Sequence, residues 1–351
     1  MLGTILKWVG GTAAVISLVT GMVQVNGLFR TRQSRQEAVT ELVKGARLQA
    51  SASDYAGAWK LYEQALQLEP GSRAARDGQG DLAMQWLRNM RVSDNQSFSQ
   101  LVDPLLPVLY RAAASGNARK SADALAHIGW ANYLKNRDFG TASSGELAGP
   151  KVEEQFQAAL KADGGNVYAH AMWGFWVAYR RAPLSEADQH FSEALKTGRE
   201  RQYVQSLQIS AYLNRQGDAE SDVELIRVAD QIRRNHEAIA PDEQRRIVES
   251  VYLGSADTTE GVVNRIVSAI PPADHLATLT WLIQGTNLDS DRRYRFYHAR
   301  LSESAGDRST ALAEYKALQS LSSPLERVLA QQVALGIDRI SRQGAETLEQ
   351  K

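Results

Sequence analysis

The sequence predicts an all-α protein with one apolar helix near its amino terminus and a long array of helical hairpins after it. Three observations carry this reading. A small–aromatic–small triplet occurs at Ala58, Tyr62 and Ala65 and again at Ala187, Phe191 and Ala194; the offsets i, i+4 and i+7 share one helical face. Small residues on either side of a ring let a second helix come close while the ring fills the space between them. Residues 8–29 form an uninterrupted run without a charged side chain. Few stretches alternate apolar and polar residues with period two, so almost no sheet is expected.

Composition bounds the function before any motif does. A chain of 351 residues exceeds one average domain, which leaves two domains or one repeat array. Lys and Arg balance Asp and Glu at 40 each. A general nucleic-acid binder usually shows a basic excess, so no nucleic-acid partner is expected. The chain has no cysteine, which excludes disulfides, thiolate metal sites and a cysteine nucleophile, and leaves the compartment open.

After a short flank at 1–7, the uncharged run at 8–29 is long enough as a helix to cross a hydrocarbon core of about 30 Å. A cleaved signal peptide or a buried core helix are the alternatives. A signal peptide usually has a shorter apolar run and a small-x-small cleavage site. Here Arg30, Arg32 and Arg35 follow as a stop-transfer flank at 30–35. Three arginines after the span against Lys7 and the amino terminus before it favour a cytoplasmic carboxy-terminal part. The expected location is therefore the inner (plasma) membrane, single-pass and bacterial, with the extracytoplasmic side as the alternative. Gly10, Gly11 and Gly21 could allow close helix contact, but no strict G-x-x-x-G is present.

Hairpins follow. Gln36 to Ala50 and Tyr55 to Glu69 pair across a polar break, with Asp54 placed to cap the second helix and Pro70 to stop it. Further helices are expected over Ser72 to Arg91, through Leu101 to Leu109 (interrupted by Pro104 and Pro107), and over Ala122 to Lys135. Asn136 to Pro150, rich in small residues, reads as a flexible insertion, with part of a binding edge as the alternative. Val152 to Ala162, Val167 to Arg180 and Leu184 to Thr197 come next, with Gly198 as a C′ glycine. Glu200 to Asn214 and Ser221 to His236 form another hairpin. Asp242 to Leu253, Glu260 to Ile270 and Ala273 to Gln284 follow a weaker pattern. Arg292 to Ser304 and Ser309 to Ser320 restore it with Ala311, Tyr315 and Leu318. Leu325 to Ile340 reads as a capping helix, and 341–351 as a flexible tail.

The first hairpin has the length of about 34 residues found in tetratricopeptide repeats. Gly45-Ala46 in its first helix, and Ala58, Tyr62, Ala65 and Pro70 in its second, resemble that family's pattern. The units around Phe156, Phe191 and Tyr315 are similar. The resemblance covers most of residues 36–340 and implies a right-handed α-solenoid of about seven to nine helical pairs. It also implies that first helices line a groove for an extended peptide or a partner helix. That register points to Trp130, Tyr133, Phe175 and Tyr179 in the middle units and to Arg293, Phe296 and Arg300 in the late one. Aromatic and arginine side chains are the types enriched in binding hot spots, although an aromatic stripe at helical spacing is as readily core. Asn132, Lys135 and Asn136 fall close together, without the full set of the family's carboxylate clamp.

No catalytic, cofactor or metal constellation stands out. Gly78-Gln79-Gly80-Asp81-Leu82-Ala83 matches G-x-G-x-x-A, but its surroundings read as helix rather than strand–turn–helix. The six histidines form no H-x-x-x-H or H-E-x-x-H pair, and His170 and His298 read as interhelical or surface residues. The expected function is a non-enzymatic, membrane-anchored scaffold or adaptor that binds other proteins and helps assemble or regulate a membrane complex. The alternatives are an extracytoplasmic organiser of envelope proteins or polymers, self-association, and an enzyme whose site forms between repeats. The last requires acidic residues such as Glu153, Glu154 and Asp163 to converge on a closed pocket.

Overall fold

The computed structural model describes residues 32–90, 97–137, 152–215, 217–253, 259–284, 286, 288, 291–321 and 327–349. The expected transmembrane helix at 8–29, most of the small-residue insertion, and Pro324 lie outside the described residues. Among the described residues there are seventeen α-helices and one π-helical turn, and no strand. None of these helices is long and apolar enough to cross a membrane. The helices belong to two compact units, Met1–Gly149 and Pro150–Lys351.

The first unit begins with α1 (Arg32–Ser51) and α2 (Tyr55–Leu68), packed as a hairpin. The Asp54 carboxylate accepts from the Gly57 amide at 2.9 Å and so satisfies one of the orphan donors at the α2 amino terminus. Ala58, Tyr62 and Ala65 turn inward against Val39, Leu42, Val43 and Ala46 of α1. The next helix, α3 (Arg73–Arg88), lies on the outer side of the Tyr62 ring. A Cβ on Gly78 would stand 2.5 Å from the Tyr62 hydroxyl oxygen, so only glycine admits the ring there. The G-x-G-x-x-A match is thus a helix-packing feature inside α3.

Two prolines divide what the sequence reads as one interrupted helix. Ser97 and Gln100 form a capping box on α4 (Phe98–Val102), Pro104 falls in the turn, and Pro107 lies in the first turn of α5 (Leu106–Ala113). Then α6 (Ala118–Arg137) brings His127 into the core. Its Nδ1 lies 2.6 Å from the Asp123 carbonyl and its Nε2 accepts from Arg88 at 2.8 Å, which fixes a neutral Nδ1–H imidazole. Burial, and then the Arg88 charge, push its pKa well below the ordinary histidine value.

The second unit starts with α7 (Val152–Ala162), α8 (Val167–Tyr179) and α9 (Leu184–Lys196). Phe156 stacks on Trp173 at 6.3 Å, and Phe191 lies over Gly174, where an added Cβ would be 3.1 Å from the ring. Gly198 ends the segment at φ +68, in the left-handed region that favours glycine. A hairpin of α10 (Arg201–Leu213) and α11 (Ala219–Arg234) follows. Arg215, buried in its turn, donates to Asp218 and to the Ala182 carbonyl and ties the turn to the preceding hairpin.

The pattern then changes. Pro241 opens α12 (Pro241–Val248), which runs into a π-helical turn at Glu249–Leu253. The extra residue of such a turn re-aims the side chains after it. Tyr252 lies between the next helices: its hydroxyl is 2.5 Å from His275 Nε2, and its ring meets Tyr297 edge-on at 5.0 Å. After α13 (Thr259–Ala269) and α14 (Pro272–Ile283), the regular hairpin returns as α15 (Arg292–Ser304) and α16 (Arg308–Gln319). The last helix, α17, spans Arg327–Glu349 and so continues well past Ile340 into the stretch the sequence reads as tail. Gly336 of α17 faces the Tyr315 ring, with 2.7 Å left for a Cβ. Glu303, nearly enclosed, accepts from Arg300, from the Tyr315 hydroxyl at 3.1 Å and from two nitrogens of Arg339, which locks α17 onto the hairpin.

Candidate functional site

The residues the sequence assigns to a groove divide by burial. Trp130, Tyr133, Phe175 and Phe296 are 7%, 1%, 4% and 1% exposed. As packed they present almost no surface to a ligand, because each ring fills the gap between helices. Trp130 and Tyr133 pack at 4.7 Å in the first unit, and Phe296 lies 5.7 Å from Tyr315 in the second. Tyr179 is half-buried and stacks on Trp176 at 6.0 Å. Arg300 joins the Glu303 cluster. Arg293 is exposed, 4.0 Å from Asp291. Of the seven, Tyr179, Arg293 and Arg300 keep more than marginal exposure. Lys135, from the incomplete clamp, bonds Asp103 at 2.5 Å.

What the second unit does offer is an open cleft of about 500 Å³ beside α14. One wall is a stripe along that helix: Ala273, Leu276, Ala277, Thr280, Trp281 and Gln284, at i, i+3, i+4, i+7, i+8 and i+11. Leu276, Ala277 and Trp281 are half-buried, while Ala273, Thr280 and Gln284 are exposed. The opposite stripe of α14 (His275, Thr278, Leu279, Leu282 and Ile283) is buried in the unit. Two apolar stripes on one short helix need cover on both sides, and the described residues cover one.

Polar groups frame the apolar wall. Arg233 of α11 stands at the cleft with its guanidinium held by Asp230 at 2.7 Å and by the Thr278 hydroxyl at 3.2 Å. Burial works against the Asp230 carboxylate, but hydrogen bonds from Arg233, Thr278 and Arg234 outweigh it and hold its pKa below the usual carboxylate range. Opposite lie His298 and Ser302 of α15 and Asp307 and Thr310 at the start of α16. His298 Nδ1 is 2.9 Å from Glu314. Asp307 accepts from the Thr310 amide at 3.1 Å and the Ser309 hydroxyl at 2.9 Å, so the amino terminus of α16 is already capped. These hydrogen bonds hold the Asp307 carboxyl below its ordinary value.

The sequence register points to another face of α15 than the one at the cleft. Arg293 and Arg300 share one face, whereas His298 follows Arg293 by five residues, about 140° around the helix. It also passed over α14. The available signal was composition: Pro272 to Ile283 contains one charged residue, Asp274, and lacks the polar face of a helix with a single buried side.

Among the described residues no group of three or more His, Asp or Glu side chains could hold a metal ion as placed. Glu153 accepts from the Trp176 indole at 3.1 Å and from Arg180 at 2.6 Å, and none of Glu153, Glu154 and Asp163 lines the cleft. The cleft offers apolar contact, one indole, one imidazole, a few hydroxyls and fixed charges at its rim.

No family model matches this chain, and no curated protein matches it. Among solved structures, a tetratricopeptide repeat protein from Parabacteroides merdae ATCC 43184 is similar, at 11% identity and a TM-score of 0.39, over 86% of this chain and 99% of that one.

Proposed function

We propose that the chain is a non-enzymatic helical-repeat scaffold of the tetratricopeptide type, anchored in a membrane through residues 8–29. It binds a segment of a partner protein in the α14 cleft and thereby helps assemble or regulate a membrane-associated complex. The second apolar stripe of α14, left uncovered beside an open cleft, carries this reading. A partner that covers Leu276, Ala277 and Trp281 removes apolar surface from water, and Trp281 has the size and position of an interface anchor. The anchor contributes by raising local concentration at the bilayer. The arginines after residue 29 favour the cytoplasmic side for the helical part, and reporter fusions after Lys351, active on one side only, test that placement.

The test of binding uses the full chain carrying Ala277→Arg or Trp281→Ala. We expect both to remove the same co-purifying protein while helix content and denaturation midpoint stay close to the parent's. Unchanged association in both variants contradicts the reading.

A further inference from the structure

The two histidines that face each other across the α8–α9 hairpin lie far from the cleft in sequence and have no part in the reading above. His170 of α8 and His190 of α9 bring their Nδ1 atoms to 3.1 Å. The His170 Nε2 lies 3.1 Å from the Gly164 carbonyl oxygen. A carbonyl only accepts, so Nε2 carries the hydrogen and the Nδ1 of His170 holds a lone pair aimed at His190. The His190 ring is held in place by stacking on Trp173, with centroids 4.5 Å apart and planes at 24°. His170 is buried and His190 half-buried, so solvent reaches the pair from the α9 side.

Two ring nitrogens at this distance have two chemical uses. One is a hydrogen bond, with His190 donating from Nδ1. The other is the bite of a chelate. Imidazole nitrogens bind zinc-class ions at about 2.0–2.1 Å, which separates two ligand nitrogens by about 3.4 Å at a tetrahedral angle and about 2.9 Å at a right angle. The observed 3.1 Å lies between these values. The carbonyl behind His170 is the second partner that metal-binding imidazoles generally have, and it fixes the tautomer a ligand needs. Glu193, one turn after His190, is within electrostatic reach of both rings and is paired in solvent with Lys196. A rotation of that exposed side chain could supply a third ligand.

We propose that His170 and His190 form a two-histidine site for a divalent ion of the zinc–copper class that clips α8 to α9, with water or Glu193 completing the coordination. On binding, the hydrogen on His190 Nδ1 moves to Nε2 through solvent and the ion bonds both Nδ1 atoms from beside the line that joins them; no net proton is released and no redox change occurs. Such an ion cross-links the hairpin that carries Phe191 and Gly174, and so makes the stability of this segment depend on metal supply.

The experiment is a calorimetric titration of the untagged full chain with Zn²⁺. One saturable site is expected, weakened at least about tenfold by His170→Asn or His190→Asn and unaltered by His236→Asn, which removes an exposed histidine elsewhere. Absence of saturable binding, or binding that persists at full strength in the His170→Asn/His190→Asn double variant, overturns the proposal. If those variants fail to fold, Zn²⁺ protection of histidines from diethylpyrocarbonate in the parent chain decides the matter, read residue by residue by mass spectrometry. Selective protection of His170 and His190 supports the site, and equal labelling with and without Zn²⁺ overturns it.

Discussion

Helices α14 and α15 are neighbours in the second unit and use their aromatic residues in opposite ways. Phe296 of α15 sits under Ala311 and Tyr315 of α16 in a closed core. Trp281 of α14 stays half-buried at the edge of a cleft. The difference lies in what comes next in the chain. α15 is followed at once by a helix with the small–aromatic–small face, which closes over the ring. α14 follows a π-helical turn and two prolines, and its second apolar stripe has no such helix to meet. In α15 the Phe296 ring is consumed by packing, and in α14 the Trp281 side of the helix keeps apolar surface at the cleft.

The largest expected effect separates the two helices directly. Phe296→Ala should destabilise the second unit by about 4 kcal/mol through cavity formation, whereas Trp281→Ala should cost about 1 kcal/mol. Denaturant unfolding of both variants checks this, and similar losses would erase the contrast.

A second comparison sets the closed end of the hairpin against its open side. Glu303 serves two arginines and a tyrosine with almost no exposure, and Glu303→Ala should cost about 3 kcal/mol because it strands buried charge. The first structure lost should be α17, visible as faster amide exchange from 327 to 342 than in α14. Uniform exchange would argue against a local clamp.

The buried stripe of α14 makes a pH prediction. Burial pushes the His275 pKa down to about 3. The unfolded chain takes up a proton below about pH 6.5 while the folded chain does not, so stability falls as pH drops from about 6.5 toward 3. Near pH 5 the loss from this one group should be about 2 kcal/mol. Unfolding free energy measured from pH 7.5 to 4.5 should show the decline, and His275→Gln should flatten it. An unchanged slope in that variant would remove His275 as the cause.

The smallest effects sharpen the packing rule through two glycines one turn-half apart in α3. A Cβ on Gly78 meets Tyr62 at 2.5 Å, but one on Gly80 meets only the Ala112 methyl at 3.4 Å. Gly78→Ala should destabilise by about 1–2 kcal/mol despite its better helix propensity, and Gly80→Ala should be neutral or stabilise by up to about 1 kcal/mol. Equal signs in thermal or denaturant unfolding would contradict the tight fit of the ring.

The hairpins were legible because their signal is local. Ala58, Tyr62 and Ala65, the cap at Asp54 and the stop at Pro70 lie within one helix and its ends, and the same holds for Phe191 and Tyr315. The site was less legible because it depends on which face of a helix a neighbour covers. Trp130, Phe175 and Phe296 have the composition of hot spots, yet identical rings at identical spacing serve a core. The π-helical turn at Glu249–Leu253 left no mark that periodicity detects, and it precedes the one stretch where α14 keeps an uncovered face. The approach of His170 to His190 was equally hidden, since residues 20 apart meet only once the hairpin closes.

The most direct test of the claim that partners bind where the pattern fails is site-specific photocrosslinking in cells of the full chain. A photoreactive residue would replace Thr280, exposed in the cleft, or Arg293, exposed on the face the family register selects. A discrete partner crosslinked from position 280, absent from position 293 and lost when Ala277→Arg is added, is the predicted result. Crosslinking from 293 alone, or a product at 280 that survives Ala277→Arg, would contradict the account.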